Sequence, residues 1–240
     1  MKIDLLSIII PCYNKKQILL NTLQSISLHR GVCPIETIII DDGSDEENRM
    51  FNLAELFPEL NLRYIWIDKK KGWRGPTIAY NAGFAYANGN VIFLNGADCV
   101  HKGNLLGYVF DNMREDSYIS FSALREQDEF GLDDPRAWHI HSKFFYALIP
   151  FCAAISTKSL ELLGGFDERF ADGVGYEDSD WDVRICNLGL DAHLIDDPYC
   201  LHQKHPLTQY PNQINRDLYF KLQKETPNRV KSPYNKIYNP

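Results

Sequence analysis

Short apolar runs alternate with amphipathic stretches through the first half of the chain. DLLSIII (4–10), ETIII (36–40), LRYIWI (62–67) and NVIFL (90–94) have the length and the β-branched or aromatic character of strands. The intervals read as helices. Residues 15–29 set Ile18, Leu19, Thr22, Leu23 and Ile26 on one face, and a stretch capped by Ser44 or Asp45 carries Met50, Leu53, Leu56 and Phe57. PTIAYNAGFAYANG turns Ile78, Ala82, Phe84 and Ala85 inward, with Gly89 as its C-terminal stop. Near-continuous apolar strands joined by helices predict a parallel sheet covered on both faces, an α/β fold. Such sheets bind ligands outside the carboxyl ends of their strands. PCYN, DDGSDEE and NGADC all fall at such ends.

The second half changes character. A helix near 102–114, a strand at 118–124 and a core run at 148–156 flank an irregular, charged stretch, 125–142, that holds Trp138, His139 and His141. A Gly-rich loop then leads to EDSDWDVRICNLGL, which reads as a helix over 179–188 with Trp181, Ile185 and Leu188 on its apolar face and Gly189 as its cap. DAHLI (191–195) is a strand, and the last fifteen residues read as an extended tail. This predicts one domain over 1–225, with halves at 1–116 and 117–225, and a tail over 226–240.

Composition narrows the classes. With 240 residues, 45% hydrophobic and 24% charged, the chain has an ordinary globular make-up with ample core. A net charge of -7 argues against a nucleic-acid binder held by phosphate contacts. The Lys69-Lys70-Lys71 run reads as solvated loop. Six scattered cysteines without a CxxC pair fit reduced thiols and a cytoplasmic setting. No apolar run approaches the ~20 residues of a membrane span, which leaves peripheral membrane contact open.

The first turn is PCYNKK, neither GxGxxG nor a P-loop. Taken in order, SIIIPCYNKKQILLNTLQSI, ETIIIDDGSDE, PTIAYNAGFAYANGNVIFLNGADC and LGGFDERFADGVGYEDSDWDVRICNLG resemble the blocks of family 2 glycosyltransferases with the GT-A fold, over roughly residues 5–205. The resemblance implies inverting transfer of a sugar from a nucleotide-sugar, UDP-sugar favoured, to an acceptor hydroxyl, with Mn²⁺ or Mg²⁺. It implies Pro11, Tyr13, Asp41, Asp42 and Arg74 around the nucleotide, with Asp42 accepting from uracil N3–H. The family's D-x-D is Gly96-Ala97-Asp98 here, so Asp98 keeps the cation role while the ribose contact falls to backbone or Asn95. The resemblance implies His202 as the second metal ligand, with His205 the lesser choice. Asp178 would be the general base and Glu177 would bind acceptor hydroxyls, with Trp138 stacking on the acceptor sugar.

Each assignment has a plainer counterpart. Asp41, Asp42 and Ser44 also make a capped turn, and carboxylates in a helix's first turn are favoured by the dipole alone. A zinc site of Asp98, Cys99 and His101 lacks a fourth ligand at usable spacing. Cys99 reads as packing, His101 as the start of a helix, and Trp181 as core. Two rival functions remain. A nucleotide-sugar or glycan-binding domain without turnover would fit the lost first acid, and a glycoside hydrolase would use the paired acids but leave the strand-end loops without a purpose.

Overall fold

The structure, a computed structural model, describes residues 1–28, 34–69, 74–127, 129–206, 212–232 and 235. Among these, nine strands form one sheet. The first half supplies β1 (Leu6–Cys12), β2 (Ile35–Asp41), β3 (Leu62–Trp66) and β4 (Val91–Asn95), all mutually parallel in the order β3-β2-β1-β4. The second half adds β5 (Cys99–Lys102), β6 (Ser117–Arg125), β7 (Trp138–Ile140), β8 (Cys152–Ser156) and β9 (Asp191–His202). Here the pairing is mixed: β8 runs antiparallel to β4 and β6, β9 lies parallel to β6, and β5 closes the edge antiparallel to β9. The architecture is α/β with a sheet sandwiched by helices, as the alternation predicts.

Side-chain alternation along β1 builds both cores at once. Ile8 and Ile10 face the layer of α1 (Lys16–Ser27), α2 (Leu53–Leu56) and α4 (Leu105–Asn112), while Ile9 faces the opposite layer. That opposite layer comprises α3 (Thr77–Tyr86), α5 (Thr157–Leu163) and α6 (Glu177–Leu188). Helix α3 approaches the sheet closely because Gly83 has no side chain: a Cβ there would lie 2.2 Å from Ile9 Cγ2. Pairing of β1 with β4 ends at Ile9–Leu94, whereas pairing with β2 continues to Cys12–Asp41. The sheet therefore splits beyond Ile9. Pro11, which offers no N–H, sits where β4 has already departed.

Several elements depart from the sequence pattern. The helix expected after Asp45 is broken into a 3-10 turn at Glu46–Asn48 and the single turn α2, with Arg49 extended between them. Arg49 Nε donates to Ser44 O at 3.0 Å and Met50 N to Tyr64 Oη at 3.3 Å, and these bonds hold the kink. His101 lies in β5, not at a helix start, because Cys99–Lys102 pairs with a strand a hundred residues onward. Gly89 is not the stop of α3, which ends at Ala87 in an extended conformation. Two helices have no counterpart in the pattern, α5 and α7 (Gln213–Glu225).

Of the expected tail, residues 226–232 dock on the second half, while 233–234 and 236–240 lie outside the described residues. Arg229 reaches a buried cluster, pairing with Asp167 at 2.9 Å and with Asp180, while Asp180 also holds Arg184 at 2.9 Å. Arg184 and Asp180 are each 1% exposed, so this is an ion network inside the core. Among the described cysteines, four are buried and Cys186, on α6, is exposed; Cys33 lies outside the described residues. No described helix is long and apolar enough to cross a membrane.

Candidate functional site

A cleft of about 450 Å³ opens where β1 and β4 part. Its lining includes Pro11, Tyr13, Lys15, Asp42, Arg74, Asp98, Glu177, Asp178, His202 and His205. One wall is apolar, where Tyr80 and Phe166 stack at 5.0 Å.

The base of the cleft is organised by two adjoining loops. Asn14, at φ 51°, takes the left-handed conformation that asparagine tolerates. It donates from Nδ2 to Asp45 Oδ2 at 2.8 Å and accepts from Asp45 N at 2.9 Å, tying the β1 loop to the β2 loop. Asp41 is fully buried; it accepts from Ser44 N at 2.7 Å and from the Tyr64 hydroxyl. Asp41 therefore builds the turn and does not face the cleft, unlike its neighbour. Asp42 accepts from Lys69 Nζ and from Arg74 Nε, each at 2.9 Å. Lys69 is buried against this carboxylate and lies 4.0 Å from the centre of the Tyr13 ring, so it is part of the site and not solvated loop. Lys70 and Lys71 lie outside the described residues.

The turn after β4 presents Asp98. Asn95, expected as a ribose contact, does not reach the cleft. Its amide donates to Gly96 O at 2.8 Å, and its Oδ1 lies 2.7 Å from His101 Nε2, so both residues are spent on holding the turn. Asp98 Oδ2 pairs with Lys15 Nζ and lies 3.0 Å from His205 Nε2; Oδ1 lies 3.8 Å from His202 Nε2. Burial alone would raise the Asp98 carboxyl, but the His205 hydrogen bond and the charges of Lys15 and His202 hold it well below the usual carboxylate range. His205 is shifted upward by the same bond, whereas burial pushes His202 down. Gln203 fixes both histidines: its N–H donates to Asp98 O at 2.8 Å, and its Nε2 donates to Ile18 O and Thr22 Oγ1 of α1, each at 3.0 Å.

One Asp oxygen and two imidazole nitrogens lie within 4.8 Å of one another. A carboxylate with two imidazoles suits a borderline divalent cation, whose binding would displace any proton they hold. The donor set thus fits a metal, with His205 as well placed as His202. Lys15, Lys69 and Gln203 carry no signal in the sequence, because lysine and glutamine are the common currency of exposed loops and only their partners distinguish them.

Glu177 and Asp178 open α6 on the far wall. Glu177 Oε2 is buried with no hydrogen-bond partner among the described residues, and burial, then the charge of Asp178, pushes the Glu177 carboxyl up to about 8. Burial also raises Asp178, although Asp178 Oδ1 accepts from Ser179 N at 2.7 Å. A carboxylate raised in this way is a stronger base than one in water. Trp138 is not in the cleft: it is 3% exposed, and its Nε1 donates to Leu132 O at 2.8 Å, so it plugs the core beside β7. His139 and His141 lie beside it in the same region, and Trp181 is wholly buried.

Residues 7–160 match the profile of Glycosyl transferase family 2. The chain is 22% identical over 265 residues to the uncharacterized glycosyltransferase YfnE of Bacillus subtilis (strain 168), covering 83% of this chain and 65% of that protein, so it spans just under two-thirds of that relative's length. In three dimensions it is similar to the mannosyltransferase PcManGT from Pyrobaculum calidifontis in complex with GDP-Man and Mn²⁺. There the TM-score is 0.64 with 19% identity, over 100% of this chain and 68% of the other. It is likewise similar to S. aureus TarS 1-349 in complex with UDP-GlcNAc, with TM-score 0.65 and 18% identity over 87% of this chain and 60% of that one. At these identities the structural likenesses bear on the fold, which is that of GT-A glycosyltransferases.

Proposed function

The chain belongs to glycosyl transferase family 2, and from that premise we propose that it is an inverting transferase. It would move a sugar from a nucleotide-sugar, UDP-sugar favoured, to a hydroxyl of a glycan or glycoconjugate. The observation that carries this reading is the meeting of three polar groups in one cleft: Asp42 with its cations, the Asp98–His202–His205 set, and the raised acids Glu177 and Asp178.

In this reading Tyr13 packs on the base and Asp42 accepts from its N–H. Pro11 shapes the loop beneath it. Arg74 and Lys69 orient Asp42. Asp98, His202 and His205 would hold a divalent cation, Mn²⁺ favoured over Mg²⁺ because imidazole is a borderline ligand. When bound, the cation supplies charge that stabilises a departing diphosphate. Asp178 takes the proton of the acceptor hydroxyl while its oxygen bonds to the anomeric carbon from the face opposite the leaving diphosphate. Such a base typically contributes about 10²–10⁴-fold. Glu177, largely protonated at neutral pH, donates a hydrogen bond to the acceptor.

Titration calorimetry with UDP, with GDP as comparator, with and without Mn²⁺, tests the donor site. Mn²⁺-dependent binding of UDP that is lost in Asp98→Ala is the expected result. Absence of nucleotide binding would overturn the reading and leave a glycan-binding domain. Asp178→Asn should bind UDP as the parent does yet lose transfer by roughly 10²-fold or more.

A further inference from the structure

Asp178 and Asp182 lie four residues apart on α6, so their carboxylates share one helix face a turn apart. Aromatic rings border that face on both sides. Tyr176, immediately before the acids, holds φ 66°, a backbone conformation that bulky side chains rarely adopt. Its ring meets those of Tyr219 at 5.5 Å and Phe220 at 6.3 Å, both from α7. The loop that leads to Tyr176 is fastened by Asn215, whose buried amide donates to Phe170 O at 2.9 Å and Gly175 O at 2.7 Å. The left-handed turn is therefore imposed by α7, and it presents the Tyr176 ring beside the catalytic acids.

The Tyr118 hydroxyl donates to Leu148 O at 3.1 Å and accepts from Trp181 Nε1 of α6 at 3.2 Å, which holds the segment before Leu148 against α6. Tyr146 belongs to that segment and is 61% exposed; Phe220 is 55% exposed. Burial, and after it the charge of Asp182, raises both the Tyr146 and the Tyr219 hydroxyls. The tryptophans of the second half, Trp138 and Trp181, are both buried and offer no ring face, whereas Tyr146 and Phe220 do.

We propose that Tyr146, Tyr176, Tyr219 and Phe220 form the acceptor subsite, a platform for the apolar face of a neutral pyranose whose hydroxyls hydrogen-bond Asp178 and Asp182. Aromatic faces take the C–H face of a sugar ring, and ionised carboxylates accept from its hydroxyls while disfavouring an anionic acceptor. The proposal rests on the glycosyltransferase reading and replaces Trp138 as the stacking residue.

The test uses p-nitrophenyl glucoside, galactoside and mannoside as acceptor probes, with UDP release followed from UDP-glucose, UDP-galactose or UDP-N-acetylglucosamine. At least one probe should accelerate release by the parent protein. Tyr146→Ala and Tyr219→Ala should each raise the KM of that probe by roughly 10-fold, while UDP affinity by calorimetry reports an intact fold. Tyr219→Phe, which keeps the ring, should restore KM to within about twofold. An unchanged KM in both alanine variants would overturn the platform. So would a donor-cleaving parent protein that no neutral pyranoside accelerates. A protein that neither binds UDP nor cleaves any donor would sink the function reading itself, which is a separate observation.

Discussion

Replacing Glu177 by glutamine should make the protein more stable, and increasingly so as the pH rises. Glu177 Oε2 is buried without a hydrogen-bond partner among the described residues, beside Asp178, and the folded carboxyl is raised from 4.5 to about 8. Between those values the folded state holds a proton that the unfolded chain has released. The folded state binds more protons, so stability falls as pH rises through this window and levels off above about 8. At about 1.4 kcal/mol per pH unit the wild-type protein gives up roughly 5 kcal/mol across the window, an upper figure for a side chain that keeps some contact with solvent. A glutamine at this position carries no charge at any pH, so the variant escapes that loss. Urea unfolding of both proteins from pH 5 to 9, followed by tryptophan fluorescence, should give curves that diverge with pH, with Glu177→Gln ahead by several kcal/mol at pH 8. Parallel curves would refute the reasoning and mean that water or a moving neighbour solvates the carboxylate. Under the proposed function the gain should come with weaker acceptor use, since that reading sets the wild-type acid against the acceptor.

Other perturbations follow from the same geometry. Asp180→Ala leaves Arg184 without its carboxylate inside the core and removes a partner of Arg229, so unfolding free energy should drop by about 3–5 kcal/mol; a loss under about 1 kcal/mol would show that the network is dispensable. Gly83→Ala sets a methyl 2.2 Å from Ile9 Cγ2 and should cost about 1–3 kcal/mol in the same assay, unless α3 can lift from the sheet at no cost. His205→Ala should weaken Mn²⁺-dependent UDP binding by roughly 10-fold or more in calorimetry, and an unchanged affinity would reduce the cation set to Asp98 and His202.

The parallel half of the fold was legible because β1 through β4 are locally apolar and their connecting helices are amphipathic, so each short window carries its own signal. The same held for α6, where Trp181, Ile185 and Leu188 recur at helical spacing. What escaped is what depends on distant partners. β5 is four residues long and exists through its pairing with β9. The kink at Arg49 depends on Ser44 and Tyr64. Helix α7 did carry a signal, since Ile214, Leu218 and Leu222 recur every four residues, but its many polar residues masked it. At the site, Asp42, Asp98, Glu177 and Asp178 could be read from their motifs and positions at strand or helix ends. Asn95, Asp41 and Trp138 could not be assigned by residue type: each suits a ligand contact, and each is turned inward by hydrogen bonds to its own surroundings.

The distribution of thiols makes the protein easy to instrument. Cys186 stands on α6 eight residues beyond Asp178, about 12 Å along the helix axis, while Cys12, Cys99, Cys152 and Cys200 are sealed in the interior. In a Cys33→Ser background a maleimide dye or nitroxide would attach at Cys186 under native conditions. Burial and the neighbouring Asp182 raise that thiol, so mildly alkaline buffer should speed the reaction. A probe there would ride on the helix that carries Glu177 and Asp178 and report any movement of that helix when a nucleotide is added.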